Sequence, residues 1–410
     1  MELRPILSTL RRHKTASALI VLEIALSCAI ICNALFLIGN RLERMDRPSG
    51  LAENEIVRIQ LTGIGREDNA AALTAADLAA LRALPGVKDA AASNQVNFGN
   101  SSWNSSVFLK PDQDQQSVGS TMYMGDEHLL DTLGLKLVAG RKFNRDEIID
   151  WDTANKPGVQ VAVPSVIITH AQAEKLWPGQ NPLGKQVYGW GGKDQPSTVI
   201  GVVEHLARPN DIGGPEAYDY STLLPYGVPY TIGGNYLLRV APERRAETLK
   251  AAVAVIERNG PNRIILEQDT MQELRNEFYR QDRAMAWMLV IVCVALLVVT
   301  ALGIVGLASF WVAQRTKQIG VRRALGATRG QILRYFQAEN FILATLGIVI
   351  GMLLAYAINQ LLMGKYELPR LPAIYLPVGA LVLWLLGQAS VFGPARRAAA
   401  VPPAVATRSV

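Results

Sequence analysis

Cysteine is scarce in this 410-residue chain: Cys28, Cys32 and Cys293 are the only three, and all lie in apolar runs. None falls between residues 41 and 283, so disulfides give that segment no support. Cys28 and Cys32 sit one helical turn apart and resemble half of a soft-metal site. No histidine or third thiol completes it, and small packing residues are the better reading. The four histidines, at 13, 128, 170 and 205, show no metal-ligand spacing, and no G-x-S-x-G elbow occurs. One phosphate-loop spacing does occur, Gly179, Gly184 and Lys185 in GQNPLGKQ. There Gln186 replaces the Ser/Thr that would hold Mg²⁺, and Pro182 removes a backbone donor. The following QVYGWGG reads as strand and turn, not as a helix whose N-terminus receives phosphate. Metal, nucleophilic and nucleotide chemistry therefore find no motif here, and the chain is expected to bind no cofactor of its own.

Charge is sparse in four long apolar runs, at 16–39, 284–313, 338–362 and 373–392. Each meets the length of about 20 residues that a bilayer core requires. Four such runs with basic flanks predict four transmembrane helices. The first is too long for a cleaved signal peptide and leads into GNRLERMD, so it reads as a retained anchor. Glu23 and Asn33 interrupt it; an intramembrane carboxylate is a functional candidate, and cross-helix hydrogen bonding is the structural alternative. Gly347 and Gly351 form G-x-x-x-G in the third run, which predicts close helix packing.

Acidic residues are all but missing from three segments, 1–14, 314–334 and 393–410. These hold thirteen of the 41 lysines and arginines and, of the 35 acidic residues, only Glu2. The net charge of +6 invites a nucleic-acid reading, but basic residues concentrated at the ends of apolar helices mark the cytoplasmic side of a membrane instead. Both termini and the loop between the second and third runs are predicted to be cytoplasmic, and 41–283 extracytoplasmic.

Within that large segment, ENEIVRIQL (53–61) reads as a strand, followed by TAADLAALRAL as a helix capped by Thr74 and a return strand from Val87. A second β-α-β unit follows at NYLLRV (235–240), 242–259 and NRIILE (262–267). Two such units at the ends predict a split ferredoxin-like subdomain. The insert, roughly 95–230, is rich in Gly, Pro, Asn and Asp, with short strands at 165–169 and 197–205; it predicts a mostly-β lobe. The fold class is thus an α-helical membrane bundle of four transmembrane helices plus an α+β extracytoplasmic domain. From 269 to 313 the pattern is continuously helical, longer than a bilayer is thick, and predicts a stalk.

The loop QRTKQIGVRRALGATRGQILRYFQAEN (314–340) holds the most information. Gly326 reads as a left-handed terminator of a short helix, about 316–325, and Thr328 with Gln331 as a capping box for the next. Helix-turn-helix DNA binding and snorkelling of arginines to lipid headgroups are two readings. The second explains the arginines but not the capped helix-turn; a docking element for a cytosolic partner explains both.

The string QIGVRRALGATRGQILRYFQAE resembles the cytoplasmic loop of the MacB/FtsX family of ABC-transporter permeases. LLDTLGLKLVAGRKF (129–143), AEKLWPGQNPLGKQV (173–187) and STVIGVV (197–203) resemble that family's periplasmic core domain, and FGPARRAAAVPPAVA (392–406) its C-terminal tail. The tail departs in having Val401-Pro402-Pro403 where an acidic residue before a single proline is common. The resemblance implies the domain plan 1–15 cytoplasmic, 16–39 first span, 40–283 periplasmic core domain with stalks, 284–313 second span, 314–337 coupling loop, 338–362 third span, 363–372 short periplasmic loop, 373–392 fourth span and 393–410 cytoplasmic tail. It implies a bacterial inner-membrane permease, not itself an enzyme, paired with a second copy or paralogue. A cytosolic ABC ATPase dimer would carry the ATP and Mg²⁺. The coupling residues would be Gln318, Ile319, Gly320, Val321, Arg322, Arg323, Ala324, Leu325, Gly326 and Ala327. Membrane lipids, a periplasmic adaptor and an outer-membrane duct are the further implied partners, and nucleic acid is not among them. Mechanical transmission driving export of a peptide, antibiotic or lipid-linked cargo is the leading expectation. The alternative is an FtsX-like regulator of a periplasmic partner such as a cell-wall hydrolase.

Overall fold

The computed structural model describes residues 14–64, 69–191, 194–211, 214–366, 370–400 and 402. Arg4, Arg11 and Arg12 of the N-terminal basic cluster, and Val401 and Pro403 of the tail, lie outside the described residues. The chain divides into two units: residues 47–280, and a second made of 1–46 with 281–410.

In chain order, α1 spans Lys14–Met45, β1 Ile56–Gly63, α2 Ala70–Arg82, β2 Val87–Ser93, β3 Asn104–Val107 and β4 Val118–Gly125. Then come α3 Leu129–Leu133, β5 Leu137–Gly140, β6 Ile149–Asp150, α4 Trp151–Ala154, β7 Ser165–Thr169 and α5 His170–Leu176. These are followed by β8 Gln186–Val187, β9 Ser197–Val203, β10 Ser221–Gly227, β11 Asn235–Val240, α6 Arg245–Asn259 and β12 Arg263–Thr270. Five helices complete the chain: α7 Met271–Phe278, α8 Arg280–Gln314, α9 Thr316–Ala324, α10 Arg329–Tyr366 and α11 Tyr375–Ala399.

In the unit 47–280, the two predicted β-α-β ends meet in one antiparallel sheet of order β12-β1-β11-β2, the ferredoxin-like arrangement. Alternation places Val57, Ile59 and Leu61 of β1 in one core with Leu78 and Leu81 of α2 and Ala252 and Ile256 of α6. The helices thereby cover the sheet face that these strands make apolar. The inserted lobe is a mixed eight-stranded sheet, with β10 parallel to β4 and β7 parallel to β9. Its central strand β7 is buried throughout, which is why SVIIT shows no polar alternation.

Two expectations are corrected. The first is Thr74, which does not cap α2. The helix begins four residues earlier because Ala70, Ala71 and Ala72 are strong helix formers and extend it backward. Thr74 instead donates to the Ala70 carbonyl (2.8 Å) and accepts from the Tyr230 amide (2.8 Å), tying helix to insert. The second is the helix predicted from 269 onward, which is interrupted. Strand β12 runs to Thr270, whose capping box with Glu273 starts α7, and α7 stops at Tyr279. Phe278 and Tyr279 pack against Phe98 with ring centroids 5.9 and 6.1 Å away. That distant aromatic contact decides where the helix breaks.

One buried ion pair anchors the smaller sheet. Asp77 of α2 meets Arg263 of β12 and also accepts from the Tyr236 hydroxyl (2.8 Å) and the Asn259 amide (3.0 Å). Every acceptor site of the carboxylate is used, so its burial is compensated.

In the helical unit α1 is the packing centre. A Cβ on Gly351 of α10 would lie 2.5 Å from the Cys28 Cβ, and one on Gly347 would lie 2.9 Å from the Ile24 Cβ. The G-x-x-x-G pair is what lets α10 approach α1. Cys28 and Cys32 are buried in the same seam with sulfurs 4.0 Å apart, and Cys28 donates to the Ile348 carbonyl. Helix α8 contributes a narrow stripe, Cys293, Thr300, Ile304, Ala308 and Trp311. Its other faces expose Trp287, Ile291, Val298 and Leu302, as a lipid-facing helix does. All four long helices are apolar and long enough to cross a membrane. At 1.5 Å per residue, the 35 residues of α8 exceed a hydrocarbon core of about 30 Å.

Replacing Gly351 with leucine is expected to push α1 from α10 and cost about 1–3 kcal/mol, seen as earlier melting of the purified full chain. Gly306→Leu is the control, because a Cβ there meets nothing within 4 Å. Asp77→Ala is expected to destabilise the smaller sheet by about 3–5 kcal/mol by stranding Arg263, measured by hydrogen exchange across β1 and β12.

Candidate functional site

The predicted loop folds as a short helix clamped between two long ones. Helix α8 ends at Gln314, Arg315 turns the corner, and α9 runs from Thr316 to Ala324. Gly326 takes φ +96°, a left-handed conformation that ends the helix at little cost for glycine. The Gly326 and Ala327 amides close the turn on the Arg323 and Arg322 carbonyls (3.2 and 3.0 Å). Thr328 and Gln331 then form the reciprocal capping box that starts α10: the Thr328 amide donates to the Gln331 side chain (2.8 Å), and the Gln331 amide to the Thr328 hydroxyl (3.2 Å).

What holds α9 in place was not legible as a motif. Between residues 283 and 366 the sequence has a single acidic residue, Glu339. Its carboxylate accepts from Nη1 of Arg315 at 2.8 and 3.1 Å, and the two residues are 1% and 7% exposed. The Arg315 guanidinium also lies 5.6 Å from the Trp311 ring. A corner arginine is thus bound to the third long helix 24 residues later. The only signal for it was the isolation of one carboxylate in a run of basic and apolar residues.

The ten residues named in the loop divide by side. Ile319 and Gly320 are buried against the helices, with Ile319 sharing a cluster with Ile332 and Phe336. Arg323 and Ala327 are half-buried, and Arg323 donates to the Ala327 carbonyl (3.4 Å). Gln318, Val321, Arg322, Ala324, Leu325 and Gly326 are exposed, Leu325 to 84%. Arg322 lies over the Tyr335 ring at 5.0 Å. The outward rim therefore mixes aliphatic groups with a basic flank on a helix whose inward face is fixed.

The two polar residues of α1 part company. Asn33 donates to its own helix at Ala29 (2.9 Å) and across to the Ala355 carbonyl of α10 (3.1 Å), so it serves the bundle. Glu23 is half-buried, and its carboxylate lies against Gly303 of α8. One turn further along, Ser27 and Thr300 share a 2.8 Å hydrogen bond between the same helices. The phosphate-loop look-alike is a turn, with Gly179 and Gly184 at φ +66° and +79° and Lys185 donating to Gln180 (2.6 Å). Among the described residues no group of three His, Cys, Asp or Glu is placed to hold a metal ion.

Replacing Glu339 with alanine is expected to strand the Arg315 charge and cost about 3–5 kcal/mol. The Arg315→Met/Glu339→Leu double variant is expected to recover most of that loss in the melt of the full chain. Equal melting of the single variant and the wild type would show that the pair does not hold the loop.

Two family models match this sequence. The MacB-like periplasmic core domain covers residues 17–256, more than half of the chain, and the FtsX-like permease C-terminal model covers residues 290–403. The uncharacterized ABC transporter permease YknZ of Bacillus subtilis (strain 168) is 24% identical over 417 residues, covering 99% of this chain and 98% of YknZ. The macrolide export ATP-binding/permease protein MacB of Neisseria gonorrhoeae is 28% identical over 258 residues, covering 58% of this chain and 35% of MacB. The chain thus spans about a third of the length of that relative. The solved extracellular domain of an ABC-type transporter YknZ from Gram-positive bacteria matches at 20% identity and a TM-score of 0.32, covering 51% of this chain and 100% of that one.

Proposed function

The chain belongs to the MacB/FtsX family of ABC-transporter permeases, and on that premise we propose that it is a permease subunit driven by a separate cytosolic ATPase dimer. It sits in the bacterial inner membrane with both termini inside, works beside a second permease copy or paralogue, and binds no nucleotide itself. Its output is movement of the periplasmic domain, used to export a peptide, antibiotic or lipid-linked cargo with an adaptor and an outer-membrane duct.

The observation that supports this reading is the rim of α9. Leu325 and Val321 are large aliphatic groups held in the open on a helix that the Arg315–Glu339 pair ties to α10. Exposed apolar groups on a rigid, polar-flanked element suit a protein partner, which removes them from water on docking. A push on that rim meets α8 through the single residue Arg315 and enters a helix of 35 residues. By chain continuity α8 leads back through Tyr279 and α7 to β12, which pairs with β1. A displacement of α8 would reach the sheet through its edge strand.

Leu325→Glu is expected to reduce recovery of an ABC ATPase with the tagged full chain by about tenfold or more, since a charge replaces an apolar contact in the docked face. The chain should still melt as the wild type, because this side chain touches nothing that folding needs. Undiminished recovery would overturn the docking assignment.

A further inference from the structure

Between α9 and the first two turns of α10 lies a shallow recess, open to solvent on one side. Ile319, Ile332 and Phe336 form its apolar base, and Arg315, Arg322 and Tyr335 form its polar wall. No carboxylate lines it. The one acidic residue within reach in sequence, Glu339, is already engaged by Arg315. Arg322 is held over the Tyr335 ring and meets no anion among the described residues, while Lys317, Arg329 and Arg334 on the same two helices add charge of the same sign. The recess thus sets a cationic wall over an apolar floor, with no carboxylate among its lining residues.

Its depth narrows the choice of anion. Tyr335 precedes the start of the third apolar run, at 338, by three residues, or about 4.5 Å along a helix. The headgroup layer on each side of a bilayer is about 5–8 Å thick, so a bilayer core starting at that run would put the guanidinium wall at the level of the lipid phosphates.

We propose that this recess binds the phosphate of an anionic phospholipid, with Arg322 as the principal contact and Tyr335 and Phe336 flanking the glycerol backbone. The site depends on the membrane placement of these helices and shares Arg322 with the basic flank of the docking rim, whereas Leu325 of that rim lies outside the recess. A seated headgroup would tie α9 to the bilayer as the Arg315–Glu339 pair ties it to α10.

The test uses the full chain in mild detergent, titrated with phosphatidylglycerol or phosphatidylcholine, with retained lipid read by native mass spectrometry. Phosphatidylglycerol is expected to be retained over phosphatidylcholine, and Arg322→Gln to weaken its retention about fivefold, the worth of one basic residue at an anionic surface. Lys317→Gln removes the same charge from the exposed side of the same helix and is expected to leave retention within about twofold. Equal retention of the two lipids would overturn the proposal. So would equal losses in the two variants, which would mean diffuse surface attraction. Displacement of the lipid by millimolar inorganic phosphate would transfer the site to a free anion and refute the lipid assignment. Loss of ATPase recovery in Arg322→Gln without any lipid preference would assign the recess to a protein and refute it equally. Leu325→Glu, which tests the docking reading, should leave lipid retention unchanged.

Discussion

A guanidinium and a carboxylate that leave water together lose several kcal/mol of solvation each, and recover it only in a well-formed contact. Arg315 and Glu339 meet that condition across the corner between the second and third long helices. Because neither tolerates burial alone, the pair favours the arrangement in which α9 lies against α10. The buried Ile319 and Gly320, the exposed rim at Val321 and Leu325, and the recess beside Arg322 are all consequences of that placement. A loop without the pair would leave a nine-residue helix too short to persist without packing.

The bundle around this corner is assembled by removing side chains as much as by adding them. Gly347 and Gly351 admit α1 to within contact of the α10 backbone, while Asn33 spends its amide on the Ala355 carbonyl. Apolar packing does not by itself hold helices together in lipid, so close approach and a few hydrogen bonds carry the association. Helix α8 takes little part in this, which leaves most of its apolar surface outward.

In the unit 47–280 the two ends of the chain are tied together. The segments by which the chain enters and leaves it are neighbours in one sheet, with Val57 opposite Thr270 and Arg58 opposite Asp269. Arg275 of α7 adds a second tie, binding Glu53 and the carbonyl of Arg47 near the point of entry. The inserted lobe is attached to this frame through Phe98, held at φ +64° against Phe278 and Tyr279. Such a backbone conformation costs about 1 kcal/mol or more for a bulky residue and persists where packing overdetermines it.

The sequence by itself determined the features that follow from local pattern: four apolar helices, two β-α-β ends of a split ferredoxin-like sheet, and the turn at Gly326 with its Thr328 capping box. Each depends on residues within one or two turns of one another, so periodicity and capping chemistry suffice to read it. Only the tertiary structure decided the features that depend on partners far along the chain. Thr74 reads as a cap until the alanines before it and Tyr230 claim it. The helix from Met271 reads as unbroken until the distant Phe98 packs against Tyr279, where it stops. Glu339 is one isolated carboxylate in a basic and apolar stretch until Arg315 turns it into the anchor of the loop. Side-chain pairing across space leaves no period in the sequence, and for that reason the residues that hold the candidate site were invisible while the site itself was in plain view.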